Sequence, residues 1–314
     1  MTLQNTFVHT LLLALAFFPL TLCAQEQDQT LLVQNLENSA ILPKRFRTTD
    51  DPLKQIENVP APSLVGFRQL HASGSGQFSQ KSLQLMLERL NHPSNLYIID
   101  LRQESHGFLN GIAVSWYAPQ DWGNKGKSLA QIQAEEKHLL QAALKKKNVT
   151  VYKILAKSGT GYISSKEPID ITVESALTEE QIAQADGLKY LRLPVTDHLK
   201  PESAYIDQFV SFVRELPKDA WLHFHCSGGE GRSTTFMAMY DMMRNAKDVS
   251  LNDILNRQWL LGGHRFEALP KTSNWKYQSA AERLEFLRLF YQYSHDNQDD
   301  FKESWSDFLK RANR

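Results

Sequence analysis

The chain has 314 residues, of which 42% are apolar and 22% charged, so one or two domains with a substantial core are expected. Lys and Arg together number 35, as do Asp and Glu, which gives a formal net charge of zero. This balance argues against a broad electrostatic attraction to nucleic acid or to a membrane surface, and no nucleic-acid partner is expected. Any affinity for a polyanion has to come from a local basic pocket.

The N-terminus contains an apolar block, residues 11–20 (LLLALAFFPL), that has the length of a signal-peptide core and is too short for an ordinary membrane span. We predict a signal peptide over residues 1–24 and export to the periplasm or beyond, with no stable membrane association after cleavage. No Lys or Arg precedes the block, which leaves an uncleaved anchor or a lipoprotein acylated at Cys23 as alternatives. The chain has two cysteines, and cleavage would remove Cys23 and leave Cys226 alone, so no disulfide framework is expected.

Strand and helix patterns alternate along the rest of the chain. Residues 25–42 are predicted to be a flexible lead-in, with ordered structure from Pro43 onward. Helices are predicted over residues 81–90, 127–147, 201–216, 278–293 and 301–312, and strands over residues 95–101, 188–195 and 220–225, with further strands between residues 149 and 173. This alternation predicts an α/β core with a mainly parallel sheet, formed by residues 43–104 and 186–314, and an inserted β-rich subdomain over residues 105–185.

The most informative stretch is residues 225–233 (HCSGGEGRS), where a cysteine precedes an arginine with the spacing Cys-x5-Arg. An apolar strand pattern comes before it, and Phe236, Tyr240 and Met243 follow at the spacing of one helix face. A glycine-rich loop between a strand and a helix N-terminus forms a nest of N–H donors, which binds an anion and favours a thiolate over a thiol. In a parallel sheet this loop lies at the carboxyl end of its strand, where such sheets bind ligands.

These residue types predict phosphoryl transfer through a phosphocysteine intermediate. Cys226 would attack phosphorus as the nucleophile. Arg232 and the backbone amides from Ser227 onward would neutralise the phosphoryl oxygens, which is where most of the catalysis of such reactions lies.

The neighbouring residues have supporting roles in this prediction. Gly228, Gly229 and Gly231 let the backbone curl around the anion without Cβ clashes. Ser233 would donate a hydrogen bond to the departing sulfur, and His225 would anchor the loop and help to hold the thiolate.

The leaving alkoxide needs a proton, and a loop upstream of the cysteine offers one. Residues 194–201 (PVTDHLKP) follow a predicted strand and are bracketed by prolines. Asp197 is the candidate general acid and would later be the base that activates water. Its alternative role is to cap the helix that begins near Pro201.

Two other kinds of site have partial patterns in the sequence, a metal site and a nucleotide-binding loop. His223, His225 and Cys226 include zinc-ligand types, but the two histidines share a strand face while the cysteine lies at the loop mouth. Residues 74–76 (GSG) lack the rest of either nucleotide-binding glycine pattern. We therefore predict neither a metal nor a cofactor.

At these residues the chain resembles the cysteine-dependent phosphatases of the protein-tyrosine-phosphatase superfamily. Further motifs resemble one branch of it, the tyrosine-phosphatase-like inositol phosphatases or cysteine phytases. Those motifs are residues 43–48 (PKRFRT), 74–79 (GSGQFS), 100–111 (DLRQESHGFLNG), 195–198 (VTDH) and 221–226 (WLHFHC). The run DLRQESHG is the most branch-specific of them, and the resemblance extends from residue 43 to the C-terminus.

The resemblance implies a tyrosine-phosphatase core with a small partial β-barrel, which would correspond to the β-rich insertion. It also implies stepwise removal of phosphates from myo-inositol hexakisphosphate and lower polyphosphates without a metal. His198 and Glu104 would line the pocket, and Arg47 and Lys276 would meet peripheral phosphates. The alternatives are that Arg47 and Lys276 are ordinary surface charges and that Glu104 and His106 order the turn after their strand.

Two residues of the loop depart from the pattern of that branch. Gly228 and Glu230 stand where a small alanine and an uncharged residue are expected. An added anion beside a phosphate site would lower affinity or shift the preferred phosphate position, unless Glu230 points to solvent.

Three other functions compete with an inositol-polyphosphate phosphatase. A protein tyrosine or dual-specificity phosphatase would use the same chemistry but needs an apolar slot of ring length. A sulfur-transfer enzyme would not require Asp197. A non-enzymatic inositol-phosphate or phosphoinositide binding module is less consistent with intact Cys226, Arg232 and Asp197.

Overall fold

The computed structural model describes residues 30–313, so the predicted signal peptide lies outside the described residues. Within this range the strands are β1 (Leu31–Leu36), β2 (Arg47–Thr48), β3 (Ala72–Ser75), β4 (Leu96–Arg102), β5 (His106–Leu109), β6 (Ile112–Tyr117), β7 (Asn148–Lys157), β8 (Ile163–Thr172), β9 (Ala176–Leu177), β10 (Lys189–Val195) and β11 (Trp221–His225). The helices are α1 (Gln80–Arg89), α2 (Leu129–Lys146), α3 (Glu179–Ala185), α4 (Ser203–Arg214), α5 (Gly231–Asn245), α6 (Leu251–Leu260), α7 (Tyr277–His295) and α8 (Trp305–Arg311). The fold is of the predicted α/β class.

The central sheet has the strand order β10-β4-β11-β3-β2. The first four of these strands are parallel to one another, and the short edge strand β2 runs antiparallel to β3. β11 lies in the middle, and all its residues are buried because both faces of the sheet are covered. The predicted mainly parallel sheet flanked by helices is therefore confirmed.

Side chains alternate between the two covered faces of this sheet. On one face, Phe224 of β11 packs against Phe209 of α4, which in turn meets Phe236 of α5. On the other face, Ile98 of β4 joins Phe78 in a second apolar cluster beneath α1 and α3. Because α5 is buried on nearly all sides, its N-terminus is held firmly against the sheet edge.

The second sheet has the strand order β8-β7-β1-β6-β5-β9, and α2 packs against it. Its hairpin β7–β8 occupies the predicted β-rich segment. β1 lies inside this sheet, parallel to β7 and antiparallel to β6, so the prediction of a flexible lead-in over residues 25–42 is wrong for residues 31–36. The polar residues Gln34 and Asn35 interrupt the apolar pattern that would have indicated a strand. In the structure β1 is stabilised by pairing with β6 and β7 and by burial of Val33.

The predicted helices correspond to α1, α2, α4, α5, α7 and α8, while α3 and α6 were not predicted. In α2 the buried side includes Ile132 and Leu140, whereas Leu144 is exposed. Glu136 takes a buried place on that side because it forms an ion pair with Arg192 of β10, with 2.9 Å between nitrogen and oxygen. No helix in residues 30–313 is long and apolar enough to cross a membrane.

Candidate active site

The cysteine loop lies at the carboxyl end of β11 and leads into α5. Since β11 pairs with β4 on one side and β3 on the other, the loop stands at the middle of the sheet edge. The Cys226 side chain is 3% exposed, yet it reaches the floor of an open cleft. The helix N-terminus directs partial positive charge into this floor, as an anion site requires.

Two donors converge on the Cys226 sulfur. The Gly229 N–H and the Ser233 hydroxyl each donate to Sγ at 3.3 Å. Gly229 has a φ of +72°, and a Cβ at this position would lie 2.2 Å from the Gly76 nitrogen. Glycine is therefore required both for the left-handed backbone and for the close approach of the loop to the chain after β3.

Arg47 supports the loop from below rather than facing a substrate. It is 2% exposed, and its guanidinium donates to the Gly229 carbonyl at 2.8 Å and to the Thr234 hydroxyl at 3.1 Å. Burial lowers the pKa of Arg47 to about 10, although Cys226 opposes this shift. The expectation that Arg47 meets a peripheral phosphate is wrong, because the side chain is enclosed between β2, β3 and the loop.

Arg232 is held by two carboxylates. Glu104 accepts from both terminal nitrogens at 2.7 and 3.0 Å, and Asp197 lies 3.2 Å from Nε. Burial opposes the charge on Arg232, but Asp197 and Glu104 raise its pKa well above the usual value. Glu104 is itself 2% exposed and is not among the residues that line the cleft, so the alternative of an ordering role fits its position, while its expected contact with substrate stays a prediction.

A buried polar chain continues behind the loop from Glu104. Arg102 donates to Glu104 at 2.8 Å and to the Gln77 amide oxygen at 2.6 Å, and the Gln77 amide nitrogen donates to Glu179 at 2.6 Å. Gln77 also donates its backbone N–H to the Ser227 carbonyl at 3.1 Å. Although burial opposes ionisation of Glu104, Arg232 and Arg102 lower its pKa far below the usual range.

The same chain ends at His225, whose ring faces Glu179 and not the thiol. The two side chains are 2.6 Å apart between Nε2 and Oε1, without the alignment of a hydrogen bond. Within the described residues the His225 ring makes no hydrogen bond to the loop, so its expected contact with the thiolate is not observed. Its neighbour His223 uses both ring nitrogens on the hydroxyls of Ser73 and Ser75, at 2.9 and 3.0 Å, which argues against a zinc site on this histidine pair.

Asp100, Glu179 and His225 are the described residues whose donor atoms lie close enough together to hold a metal, within 4.8 Å of one another. These groups already have protein partners. Arg192 lies 3.2 Å from Asp100, the Tyr190 hydroxyl donates to the same carboxylate at 2.8 Å, and Glu179 accepts from Gln77. The cluster is best described as an internal ion-pair network.

Asp197 lies on a turn that is fixed by the second sheet and the C-terminal region. The Trp122 indole donates to the Asp197 carbonyl at 2.9 Å, and the His198 imidazole lies 3.1 Å from the Asp197 carboxylate. Trp275 packs edge-on against His198, with ring centres 5.0 Å apart. Burial lowers the pKa of His198 to about 4 in spite of Asp197, because Lys276, Arg232 and Arg283 act in the same direction as burial.

The cleft above Cys226 has a volume of about 400 Å³ and includes Asp197, His198 and Lys276, as the sequence predicted. Ser227, Gly228, Glu230 and Gly231 also line it. Residues of the wall that the sequence analysis did not identify are Tyr117, Gln120, Asp121, Lys157, Ser158, Gly159, Gly161, His264, Trp275 and Arg283.

Three of these additional residues determine the charge of the cleft. Lys157 comes from β7 and Arg283 from α7, and among residues 30–313 neither has a carboxylate within salt-bridge distance. Burial and the carboxylates of Glu104 and Asp197 raise the pKa of Asp121 to about 7, and one of its oxygens has no hydrogen-bond partner. The cleft is therefore suited to an anion larger than a single phosphate.

Comparisons with known proteins agree with this geometry. The model of the PTP-like phytase family matches residues 99–244 of this chain, and the description of that family reads "Inositol hexakisphosphate". The structure is similar to the PTP-like myo-inositol phosphatase from Mitsuokella multacida, solved in complex with myo-inositol-(1,3,4,5)-tetrakisphosphate, with 39% identity and a TM-score of 0.82 over 90% of this chain and 49% of that one. A PTP-like phytase from Bdellovibrio bacteriovorus has 31% identity and a TM-score of 0.69, over 91% of this chain and 97% of that one.

More distantly, the effector protein hopD2 of Pseudomonas syringae pv. tomato is 28% identical over 264 residues, which are 83% of this chain and 55% of the effector. The chain thus spans about half the length of the Mitsuokella and Pseudomonas relatives. It matches the Bdellovibrio phytase over nearly the whole length of both proteins. Shared sequence and a shared fold over that length show that this chain belongs to the PTP-like phytase family.

Proposed function

We propose that this protein removes phosphates one at a time from myo-inositol hexakisphosphate and lower inositol polyphosphates through a phosphocysteine intermediate. One observation carries the proposal. The Cys226 sulfur accepts two hydrogen bonds at the floor of a cleft whose wall includes Lys157, Lys276 and Arg283. The Mitsuokella relative that was solved with an inositol tetrakisphosphate supports the same substrate class.

The shape and charge of the cleft favour an inositol polyphosphate over phosphotyrosine. A phosphotyrosine ring needs a narrow apolar slot, whereas several phosphates on one ring need cations that are spread around a wide opening. Lys157 comes from the end of β7, whereas Lys276 is the N-cap residue of α7 and Arg283 lies on that helix, so the cations reach the cleft from two separate segments of the chain. Cations without carboxylate partners are available to bind phosphate oxygens.

In the first step the electron pair of the Cys226 thiolate forms a bond to phosphorus, and the bond from phosphorus to the inositol oxygen breaks. The leaving oxygen takes a proton from Asp197. Arg232 and the loop N–H groups stabilise the phosphoryl oxygens during the transfer. Glu104 contributes indirectly, because it accepts hydrogen bonds from both terminal nitrogens of Arg232 and so fixes the guanidinium.

In the second step a water oxygen attacks the phosphocysteine, and the Asp197 carboxylate accepts a proton from that water. The sulfur–phosphorus bond breaks, its electron pair returns to Sγ, and inorganic phosphate leaves. Ser233 already donates a hydrogen bond to this sulfur, which stabilises the departing thiolate. The reaction thus requires no metal or organic cofactor.

Phosphate release from inositol hexakisphosphate and from a phosphotyrosine peptide tests the proposal. We expect release from the inositol substrate by the wild type and none above background by Cys226→Ser, which keeps the size of the side chain while removing the strong nucleophile. Rapid denaturation of the wild-type reaction at alkaline pH, where the sulfur–phosphorus bond is stable, should trap phosphate on Cys226, and mass spectrometry would locate it.

Activity on the peptide alone would replace the proposed function by that of a protein tyrosine phosphatase. Full activity of Cys226→Ser would overturn the phosphocysteine intermediate. Binding of inositol phosphates by the wild type without any turnover would instead indicate a binding module.

A further inference from the structure

Glu230 is an acidic residue inside the phosphate-binding loop itself. It occupies the N-cap position of α5, but its side chain makes no capping hydrogen bond to the helix. The carboxylate instead lines the cleft, and its side chain is 47% exposed. Helix capping, the usual reason for an acidic residue at this position, therefore does not account for it.

The Glu230 carboxylate contacts two side chains from distant parts of the sequence, Arg45 and His264. One oxygen lies 2.9 Å from the Arg45 guanidinium, and the other lies 3.4 Å from Nδ1 of His264. Arg45 also donates to the Gly228 carbonyl at 3.0 Å. The contact with His264, with help from Arg45 and against partial burial, lowers the pKa of Glu230, so the carboxylate is charged at neutral pH.

Glu230 therefore adds a negative charge to the wall of the cleft. The cation of Arg45 beside it is already neutralised by this carboxylate. Lys157 and Arg283 also line the cleft, and among the described residues neither has a carboxylate within salt-bridge distance. A phosphate beside Glu230 would face an anion, while a hydroxyl group there could donate a hydrogen bond to it.

We propose that Glu230 is a specificity-determining residue, which selects inositol polyphosphates carrying a free hydroxyl, rather than a phosphate, beside the phosphate that reacts with Cys226. The inference rests on the proposed function and refines its substrate class. Repulsion by the Glu230 carboxylate acts against inositol hexakisphosphate, because each of its phosphates has another phosphate on both neighbouring ring carbons.

The test compares Glu230→Gln with the wild type on two substrates. Inositol hexakisphosphate has no free hydroxyl, whereas in myo-inositol 1,3,4,5-tetrakisphosphate the hydroxyls at positions 2 and 6 flank the phosphate at position 1. We expect the ratio of kcat/KM for the hexakisphosphate to kcat/KM for the tetrakisphosphate to rise about three- to tenfold in Glu230→Gln, since exposed charge pairs contribute modestly and a phosphate carries more than one charge.

Glu88→Gln is the matched control, because it removes the same charge from an exposed position on α1. Its ratio should equal that of the wild type. Raising the salt concentration should narrow the difference between Glu230→Gln and the wild type, because a half-exposed charge is screened.

Two outcomes would overturn the inference. An unchanged ratio would mean that Glu230 does not discriminate between the substrates. An equal loss on both substrates would mean that its function is to order Arg45 and His264. Dissociation constants of both substrates, measured by calorimetry for Cys226→Ser and for Cys226→Ser combined with Glu230→Gln, test the same selectivity without turnover. A wild type that binds selectively but releases no phosphate would contradict the proposed function and leave the selectivity of Glu230 intact.

Discussion

The two sides of the phosphate-binding loop differ in burial and in the way their charges are compensated. Behind the loop, Arg47, Arg102, Glu104 and Glu179 are each 2% exposed or less, and all except Arg47 belong to one ion-pair and hydrogen-bond network. In front of it, the Glu230 side chain is 47% exposed and several cations have no carboxylate partner within the described residues. Under the proposed function, the buried side would fix the geometry of the reacting groups, and the open side would determine which phosphates reach them.

The difference has an energetic basis. Removal of one partner from a buried ion pair costs about 3–5 kcal/mol, because the other charge is left without compensation. Exposed pairs contribute about 0.2–1 kcal/mol. Substitutions behind the loop should therefore disrupt folding and catalysis together, whereas substitutions in front should change substrate affinity while the fold persists.

The largest effect is expected at the boundary between the two sides. Asp197→Asn removes the proton donor but keeps the shape of the side chain, so kcat should fall about 10²- to 10⁴-fold while KM changes little. A fall in kcat of less than about fivefold would show that the proton comes from elsewhere.

Glu104→Ala tests the buried side most directly. The substitution leaves Arg232 and Arg102 without their shared carboxylate, so the free energy of unfolding should fall by about 3–5 kcal/mol in chemical denaturation. The exposed Glu180→Ala on α3 is a matched control and should change it by less than about 0.5 kcal/mol. Equal losses of unfolding free energy in the two variants would show that charges on the buried side contribute no more to stability than exposed ones.

The contribution of Asp121, a buried carboxyl in the wall of the cleft, to the free energy of unfolding should depend on pH. Its pKa is about 7 in the folded protein against an ordinary value of 3.8, so the folded state binds this proton more tightly than the unfolded state. The resulting stability is fully present below about pH 4 and is lost as the pH rises through about 7. The free energy of unfolding of wild type minus that of Asp121→Asn should therefore decline over this interval, by on the order of 2–4 kcal/mol.

Denaturation of both proteins at pH 4, 5.5, 7 and 8 would measure that decline. A constant difference across the series would show that Asp121 titrates normally in the folded state. The same variant should lose less kcat/KM than the wild type between pH 6 and 8, because it lacks a carboxylate that becomes an anion beside an anionic substrate.

The smallest effect is expected on the open side. Lys276→Ala should raise KM for inositol hexakisphosphate about three- to fivefold and leave the thermal midpoint within about 1–2 °C of the wild type, because the side chain is only half-buried. Steady-state kinetics at low salt would detect the change. An effect on kcat alone would place Lys276 with the groups that act in the transition state.

The sequence predicted the parts of the site that follow one another along the chain. Cys226, Ser233 and Arg232 lie within one loop and the first turn of one helix, so local spacing is sufficient to place them. Three strands of the central sheet, β4, β10 and β11, were also predicted from local patterns, whereas β2 and β3 were not. Asp197 also has a local signal, a short loop between a strand and a helix.

The parts that were missed or misplaced depend on packing between distant segments. Lys157 and Arg283 belong to ordinary amphipathic elements, and nothing in their local sequence shows that the second sheet and α7 bring them to one cleft. Arg47 and Glu104 lie within motifs that the sequence shows, but both side chains become buried only when β2 and the turn after β4 pack beneath the loop. Local sequence cannot distinguish a charge that contacts a ligand from one that supports the residues around it.

The hydrogen bond from Arg47 to the Gly229 carbonyl joins positions 182 residues apart, and the pair of Arg232 with Glu104 spans 128. Contacts of such separation form late in folding, because loop-closure entropy has to be overcome first. Before they form, Cys226 would be an ordinary reactive thiol without shielding, open to oxidation and to mixed disulfides. Loss of access to a thiol-labelling reagent during refolding would consequently coincide with recovery of phosphatase activity, and protection that appeared well before activity would contradict this order of events.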